Sequence, residues 1–209
     1  MDLTNYQKLQ NGVIKQVEVN KIEYNFEYSN KYNQYGEKAN YLSYLRLGVL
    51  LGNLNTIPNS ILDVGYGNCS FLNAAKTIIP KCYGYDISDY PIDENITRVD
   101  NIFDKHYDVI SFFDSLEHFN EIDFIKNLDC DYIIISLPWC HYFSDEWFLQ
   151  WYHRRPDEHL WHFNERALVQ FFAENNFEKV YLGNYEDAIR KNGDIGKYSN
   201  ILSAVFKKI

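Results

Sequence analysis

The run Asp114-Ser115-Leu116-Glu117-His118 sets two carboxylates and an imidazole close together, and His159 and His162 follow in EHLWHF. If the run is helical, Asp114 lies one turn from both Glu117 and His118, so the three can converge. An imidazole beside carboxylates can take a proton from an oxygen or a nitrogen. Two carboxylates and two imidazoles can instead hold Mg²⁺ or Mn²⁺, with Asp114, Glu117, His118 and His159 as the set. A plainer reading has His118 capping or orienting its loop. The spacing of His159 and His162 is common by chance and leaves one of them to structure.

A second group lies earlier, in ILDVGYGNCS, Ile61 to Ser70. Gly65 and Gly67 allow a sharp turn and a close approach of backbone to ligand, because no Cβ intervenes. A dinucleotide fingerprint would place a third glycine at position 70, which is Ser70, so a pyrophosphate is disfavoured and an adenosine ligand without phosphates fits better. Asp86, in CYGYDIS, ends the next strand about twenty residues on, where a carboxylate can accept both hydrogen bonds of a ribose diol.

These groups need a frame to hold them. Residues 1–55 read as an N-terminal cap and a helix. The stretch from Asn30 to Leu54 turns helical, with Tyr41, Tyr44, Leu45, Gly48, Val49 and Gly52 on one stripe. Residues 56–138 alternate strand and helix. Strands are expected at Ile61–Val64, Cys82–Tyr85, Asn95–Val99, Tyr107–Phe113 and Tyr132–Leu137, and helices at Ser70–Ile79 and Leu116–Asn127. Residues 139–163 are too aromatic for an inert linker and too irregular for a helix, which suits a substrate lid. In residues 164–209, Asn164 is a plausible N-cap for a helix to Asn175, before strands at Phe177–Leu182 and Asn200–Lys207. Such βα alternation implies an α/β fold: one domain with a mostly parallel open sheet, helices on both faces, and ligands beyond the carboxyl ends of the strands.

Composition narrows the partners. The 209 residues carry a formal net charge of −9, which disfavours tracking an extended nucleic acid, since that needs clustered cations. HRRP at His153 to Pro156 is the main basic cluster, and reads either as a solvated loop or as a clamp on an anionic substrate group. No apolar run is long enough to cross a membrane, and the first residues lack the pattern of a signal peptide, so a cytoplasmic location is expected. The four cysteines show no CxxC pairing and read as isolated thiols. Trp139, Trp147, Trp151 and Trp161 read first as buried anchors of the lid and second as stacking surfaces.

With LDVGYGNCS and Asp86 in place, the chain resembles the class I S-adenosylmethionine-dependent methyltransferases, whose first motif is an apolar strand followed by acid-x-Gly-x-Gly-x-Gly. The resemblance implies a Rossmann-like, doubly wound, seven-stranded sheet with an antiparallel last strand, and S-adenosylmethionine as cofactor. It implies that Asp63, Gly65, Tyr66 and Gly67 shape the methionine pocket. Asp86 with Ile87 would hold the ribose, Asp100 and Asn101 in VDNIF would border the adenine, and Asp114 would also reach the cofactor. Cys69 replaces the motif's last glycine, which eases helix packing, so it is expected to cost stability and spare binding. YDVISFFDSLEHF and EHLWHFNERALVQFFAENNF are similar to a broad subgroup of ubiquinone-pathway, sugar and small-RNA terminal O-methyltransferases, some of which use an acid-x-x-Glu-His set with a metal.

The resulting expectation is O-methylation of a small molecule or sugar, without metal. His118 would be the general base, with Asp114 and His159 beside it in the chemistry, and Arg154, Arg155 and Trp161 would meet the methyl acceptor. One alternative is a metal-dependent RNA 3′-terminal 2′-O-methyltransferase, which needs a basic groove. The other is a non-catalytic S-adenosylmethionine-binding relative, favoured by Cys69 and by the short segment between Asp86 and the third strand.

Overall fold

The computed structural model describes residues 3–20, 36–88, 90–190 and 198–209. Two short strands, β1 (Tyr6–Lys8) and β2 (Ile14–Gln16), precede helix α1 (Glu37–Gly52). The βα alternation follows with β3 (Ser60–Val64), α2 (Ser70–Ala75), β4 (Lys81–Tyr85), β5 (Thr97–Arg98), β6 (Tyr107–Phe113) and β7 (Cys130–Pro138). Helix α3 (Asp145–Gln150), β8 (Trp161–His162), α4 (Glu165–Glu174), β9 (Phe177–Gly183) and β10 (Ile201–Lys208) complete the order. Seven strands form one sheet in the order β5-β4-β3-β6-β7-β10-β9. The first five pair in parallel, and β10 runs antiparallel to both β7 and β9. This is the doubly wound sheet with an antiparallel last strand that the sequence led us to expect.

The central strands are apolar throughout because both faces are covered. Leu62, Val64, Ile110, Phe112, Ile133 and Ile135 share one core with Leu168, Phe171 and Phe172 of α4. The alternate residues Ile61, Val109, Ile134 and Val205 share the other with Leu47 and Leu50 of α1 and Leu72 of α2. The period-2 alternation of side chains thus divides the sheet between two helical layers. Asn164 caps α4 as expected, accepting the Ala167 N–H at 2.8 Å. All four cysteines are free and buried. No described helix is long and apolar enough to cross a membrane.

Three expectations about elements are corrected. In α1 the buried positions are Ser43, Arg46, Leu47 and Leu50, whereas Tyr41 and Tyr44 of the expected stripe are 60% and 58% exposed. The buried face follows the helical period, but a charged residue on it hides the pattern. The expected start of this helix, at Asn30, lies outside the described residues. The helix expected over Leu116–Asn127 is instead two 3₁₀ turns, Leu116–His118 and Asp123–Asn127, separated by an extended Phe119. The carbonyls that an α-helix would use are taken elsewhere: Glu117 accepts the Leu160 N–H at 2.7 Å, and Phe119 accepts the Trp161 indole N–H at 2.7 Å.

Residues 139–163 are also more ordered than expected. Ser144 accepts the Trp147 N–H at 3.1 Å and so caps the six-residue α3. Further on, β8 joins β1 and β2 in a three-stranded sheet, ordered β1-β2-β8. The Asp157 carboxylate accepts Gln16 Nε2 at 2.7 Å and the Asn20 N–H at 3.0 Å. The N-terminal cap and the expected lid therefore make one unit, docked on the segment after β6.

Candidate active site

At the end of β3, Asp63 is only 3% exposed and accepts the Ser111 hydroxyl at 2.7 Å. Burial raises its carboxyl to about 7, against the lowering effects of Ser111 and Arg46. Gly65 follows at φ 84°, its N–H donating to Tyr85 O at 2.7 Å, and a Cβ there would lie 2.7 Å from Ser115 Cβ. Only glycine satisfies both conditions. Gly67, at φ 49°, would meet nothing within 4 Å on gaining a Cβ, so its requirements are the backbone conformation and an open face. Its N–H donates to Asp86 Oδ2 at 2.9 Å, while Asp86 Oδ1 accepts the Ser88 N–H at 2.8 Å and hydroxyl at 2.6 Å. One carboxylate thus clasps the glycine turn to the end of β4.

Cys69 adopts φ 60°, ψ 10° at the N-cap of α2. The glycine of the motif is therefore replaced at a left-handed position, where a side chain costs about 1–2 kcal/mol, and this conformational cost supplies a reason beyond helix packing. The Tyr66 side chain turns away from the glycine turn's open face into the core. Its ring is buried in the core beside Gly84, where a Cβ would come within 2.7 Å, and its hydroxyl donates to Tyr90 O at 3.0 Å. Ile87 is 67% exposed beside Asp86. Asp100 and Asn101 are exposed just beyond β5, where Asn101 binds Asp104 Oδ1 at 2.6 Å through Nδ2 and the Phe103 N–H at 3.1 Å through Oδ1. All of these residues stand at the carboxyl ends of the strands, where open α/β sheets bind ligands.

The docked segment of residues 139–163 brings His159 to the segment after β6. Glu117, His118 and His159 each offer a ligand atom within 4.8 Å of the others, and the two imidazoles meet edge to face with centroids 4.8 Å apart. His159 Nδ1 must donate to the His153 carbonyl at 2.7 Å, since a carbonyl only accepts. In the neutral ring this leaves Nε2 as a lone pair. Burial lowers the pKa of both imidazoles, that of His159 further, so each is held neutral. Glu117 is buried, and neither carboxyl oxygen has a hydrogen-bond partner among the described residues. Burial, followed by the charge of Asp114, raises its carboxyl well above the usual range. His162 is the structural member of its pair: it sits between the carbonyls of Ile14 (3.4 Å) and Arg154 (3.0 Å), and burial lowers it to about 4.

Asp114 departs from this group, which corrects the expected four-residue set. It is not helical, at φ 52°, and its carboxylate turns to Arg46 Nη2 at 3.2 Å and Arg190 Nη1 at 2.7 Å. Glu186, fully buried, holds the same two cations: Arg46 bidentately at 2.7 and 3.0 Å, and Arg190 at 3.0 Å. Burial would raise the Asp114 carboxyl, but Arg190 and Arg46 outweigh it and lower it to about 2. Arg46 also lies over the Phe113 ring, 4.1 Å from its centroid. The four charges balance and join α1, the end of β6 and the turn after β9.

The family model described as "Methyltransferase domain" matches residues 35–182. The chain is a member of this methyltransferase family. With the strand order above, it is a class I S-adenosylmethionine-dependent methyltransferase, and S-adenosylmethionine is its methyl donor. No curated protein matches it. Among solved structures it is similar to magnesium protoporphyrin IX methyltransferase from Synechocystis PCC 6803 with bound S-adenosylhomocysteine, at 19% identity and TM-score 0.54, covering 89% of this chain and 90% of that one. It is likewise similar to the Burkholderia thailandensis 1,6-didemethyltoxoflavin-N1-methyltransferase with bound 1,6-didemethyltoxoflavin and S-adenosylhomocysteine, at 13% identity and TM-score 0.56, covering 98% and 99%. An S-adenosylmethionine-dependent methyltransferase from Mesorhizobium loti matches at 12% identity and TM-score 0.55, covering 78% and 98%. At these identities the likeness is one of fold.

In this methyltransferase Trp161, expected to meet the acceptor, is anchored in the fold. It is 6% exposed, bonded to Phe119 O, and covered by Lys15 with Nζ 4.6 Å from the ring centroid. Arg155 is exposed and pairs with Glu158 at 2.9 Å, though its charge reaches both His118 and His159. Arg154 lies over Tyr6, 5.8 Å from the ring centroid. Sequence reasoning missed Arg46, Glu186 and Arg190. The spacing of Glu186 and Arg190 was a usable pairing signal.

Proposed function

We propose that the methyltransferase acts on an oxygen of a small molecule. Asp63, Gly65 and the backbone of Tyr66 and Gly67 would face the methionine part, Asp86 and Ile87 the ribose, and Asp100 and Asn101 the adenine. The observation that carries the reading is the meeting of Glu117, His118 and His159, the last with Nδ1 committed to the His153 carbonyl and Nε2 left as a lone pair. Methyl transfer is an in-line displacement, so the chain must align donor and acceptor and remove one proton. The acceptor oxygen forms a bond to the methyl carbon as the carbon–sulfur bond breaks. The electron pair stays on sulfur, and the hydroxyl proton passes to His159 Nε2. The net charge of −9 weighs against an RNA strand as acceptor.

A second reading is favoured by Glu117, whose buried carboxyl oxygens lack partners, and by the carbonyls of Glu158 and His153 that orient the two imidazoles as metal-bound histidines are commonly oriented. Glu117, His118 and His159 fit a divalent cation, and Asp114, paired with two arginines, does not. When bound, such an ion would polarise the acceptor oxygen.

Labelled S-adenosylmethionine offered with a panel of hydroxylated aromatics and sugars, with and without chelator, tests both readings. Label transferred in chelator supports the metal-free base. Loss in chelator with recovery in Mn²⁺ supports the cation, and absence of transfer to every compound counts against the acceptor class. In the donor site, Asp86→Ala should weaken S-adenosylhomocysteine binding by about 1.5–3 kcal/mol, since a charged acceptor for two hydroxyls is lost and the Gly67 clasp with it. Unchanged affinity by calorimetry would remove Asp86 from the ribose site.

A further inference from the structure

Asn200 precedes β10, whose amino end lies at the catalytic edge because that strand runs antiparallel: Ile201 pairs with Pro138, and Trp139 N donates to Asn200 O at 2.9 Å. Its own backbone is fixed, with the N–H donating to Asp187 Oδ2 at 2.9 Å. Its side chain is fixed by His153, whose Nε2 donates to Asn200 Oδ1 at 2.8 Å. The His153 carbonyl, in turn, is the one that orients His159. The charges of Arg190 and Asp114 act on His153, which places the pair within the reach of the buried charge cluster. What remains is the Asn200 amide nitrogen, buried and without a hydrogen-bond partner among the described residues. An unpaired buried donor is costly, and native proteins retain few of them without a use.

We propose that Asn200 positions the methyl acceptor, its Nδ2 donating to an oxygen of the acceptor other than the one methylated. This inference rests on the small-molecule O-methylation reading and narrows it to acceptors that carry a second oxygen beside the reacting hydroxyl. His153 occupies the amide oxygen, which leaves Nδ2 as the atom available to an acceptor. His159 hangs from the same His153, so the group that takes the proton and the group that fixes the acceptor share one support.

The probes are catechol, which has a neighbouring oxygen, and phenol, which lacks it, each offered with labelled S-adenosylmethionine. Wild type should methylate catechol with a kcat/KM roughly 10- to 100-fold above phenol. Asn200→Asp keeps an acceptor oxygen for His153 and removes only the donor. It should bring the ratio close to one, mostly through the KM for catechol, with S-adenosylhomocysteine affinity unchanged. Asn200→Ala should do the same, which guards against misfolding of the charged variant, and thermal melting reports on both. A variant that keeps the wild-type ratio overturns the proposal. So does a wild type that uses neither probe while still binding S-adenosylhomocysteine, whereas failure to bind S-adenosylhomocysteine would also bring down the donor site.

Discussion

Glu186→Ala should destabilise the protein by about 3–5 kcal/mol, measured by urea denaturation. Glu186 is fully buried and answers Arg46 and Arg190 together, so removing it leaves two largely buried guanidiniums sharing one carboxylate, Asp114. The cost is that of uncompensated charge, and replacing Arg46 and Glu186 together by Met and Leu should cost less than Glu186→Ala alone. Both carboxyls of the cluster are lowered in the folded state, Asp114 to about 2, where burial would raise them but Arg46 and Arg190 prevail. A lowered carboxyl stabilises the fold above its unfolded value, near about 4, and that contribution is lost as pH falls toward the folded value. Wild type should therefore lose stability between about pH 4 and 2, and the doubly apolar variant should lose less over that window. A loss under about 1 kcal/mol in Glu186→Ala would show that the cluster contributes little.

The parts of the molecule that could be read from sequence were those governed by local rules. The strand Ile61–Val64, the glycine turn and the cap at Asn164 each need particular residue types at particular backbone positions, and the structure has them there. The segment after β6 was misread because its form is set from outside. Leu160 and Trp161, some forty residues on, take the carbonyls of Glu117 and Phe119 and prevent an α-helix. That same docking delivers His159 to His118, so the convergence of Glu117, His118 and His159 was anticipated while the geometry invoked for it, a helix carrying Asp114, was not the one that achieves it. Arg46 was invisible for a related reason: a helical stripe drawn from apolar residues leaves out a buried arginine whose partner lies 140 residues away.

His159→Ala should lower turnover roughly 10²–10⁴-fold while leaving S-adenosylhomocysteine affinity near wild type, with a lower melting temperature because the buried His153 carbonyl loses its donor. The ring has Nδ1 committed to the His153 carbonyl, Nε2 left as a lone pair, and an atom within 4.8 Å of Glu117 and His118, so truncation removes a proton acceptor without opening the sheet or the glycine turn. His162→Ala, by contrast, takes a buried imidazole from between two carbonyls and should reduce stability more than rate. The two readings of the site then separate on His118. If His159 alone takes the proton, His118→Ala should be the milder change, and added imidazole should restore part of the activity of His159→Ala. If the three residues hold a cation, either histidine's loss opens the site, the two alanine variants should be equally impaired, and Mn²⁺ rather than imidazole should govern recovery. A His159→Ala enzyme of normal rate would exclude both, because no other described histidine shares its position between the lid and Glu117.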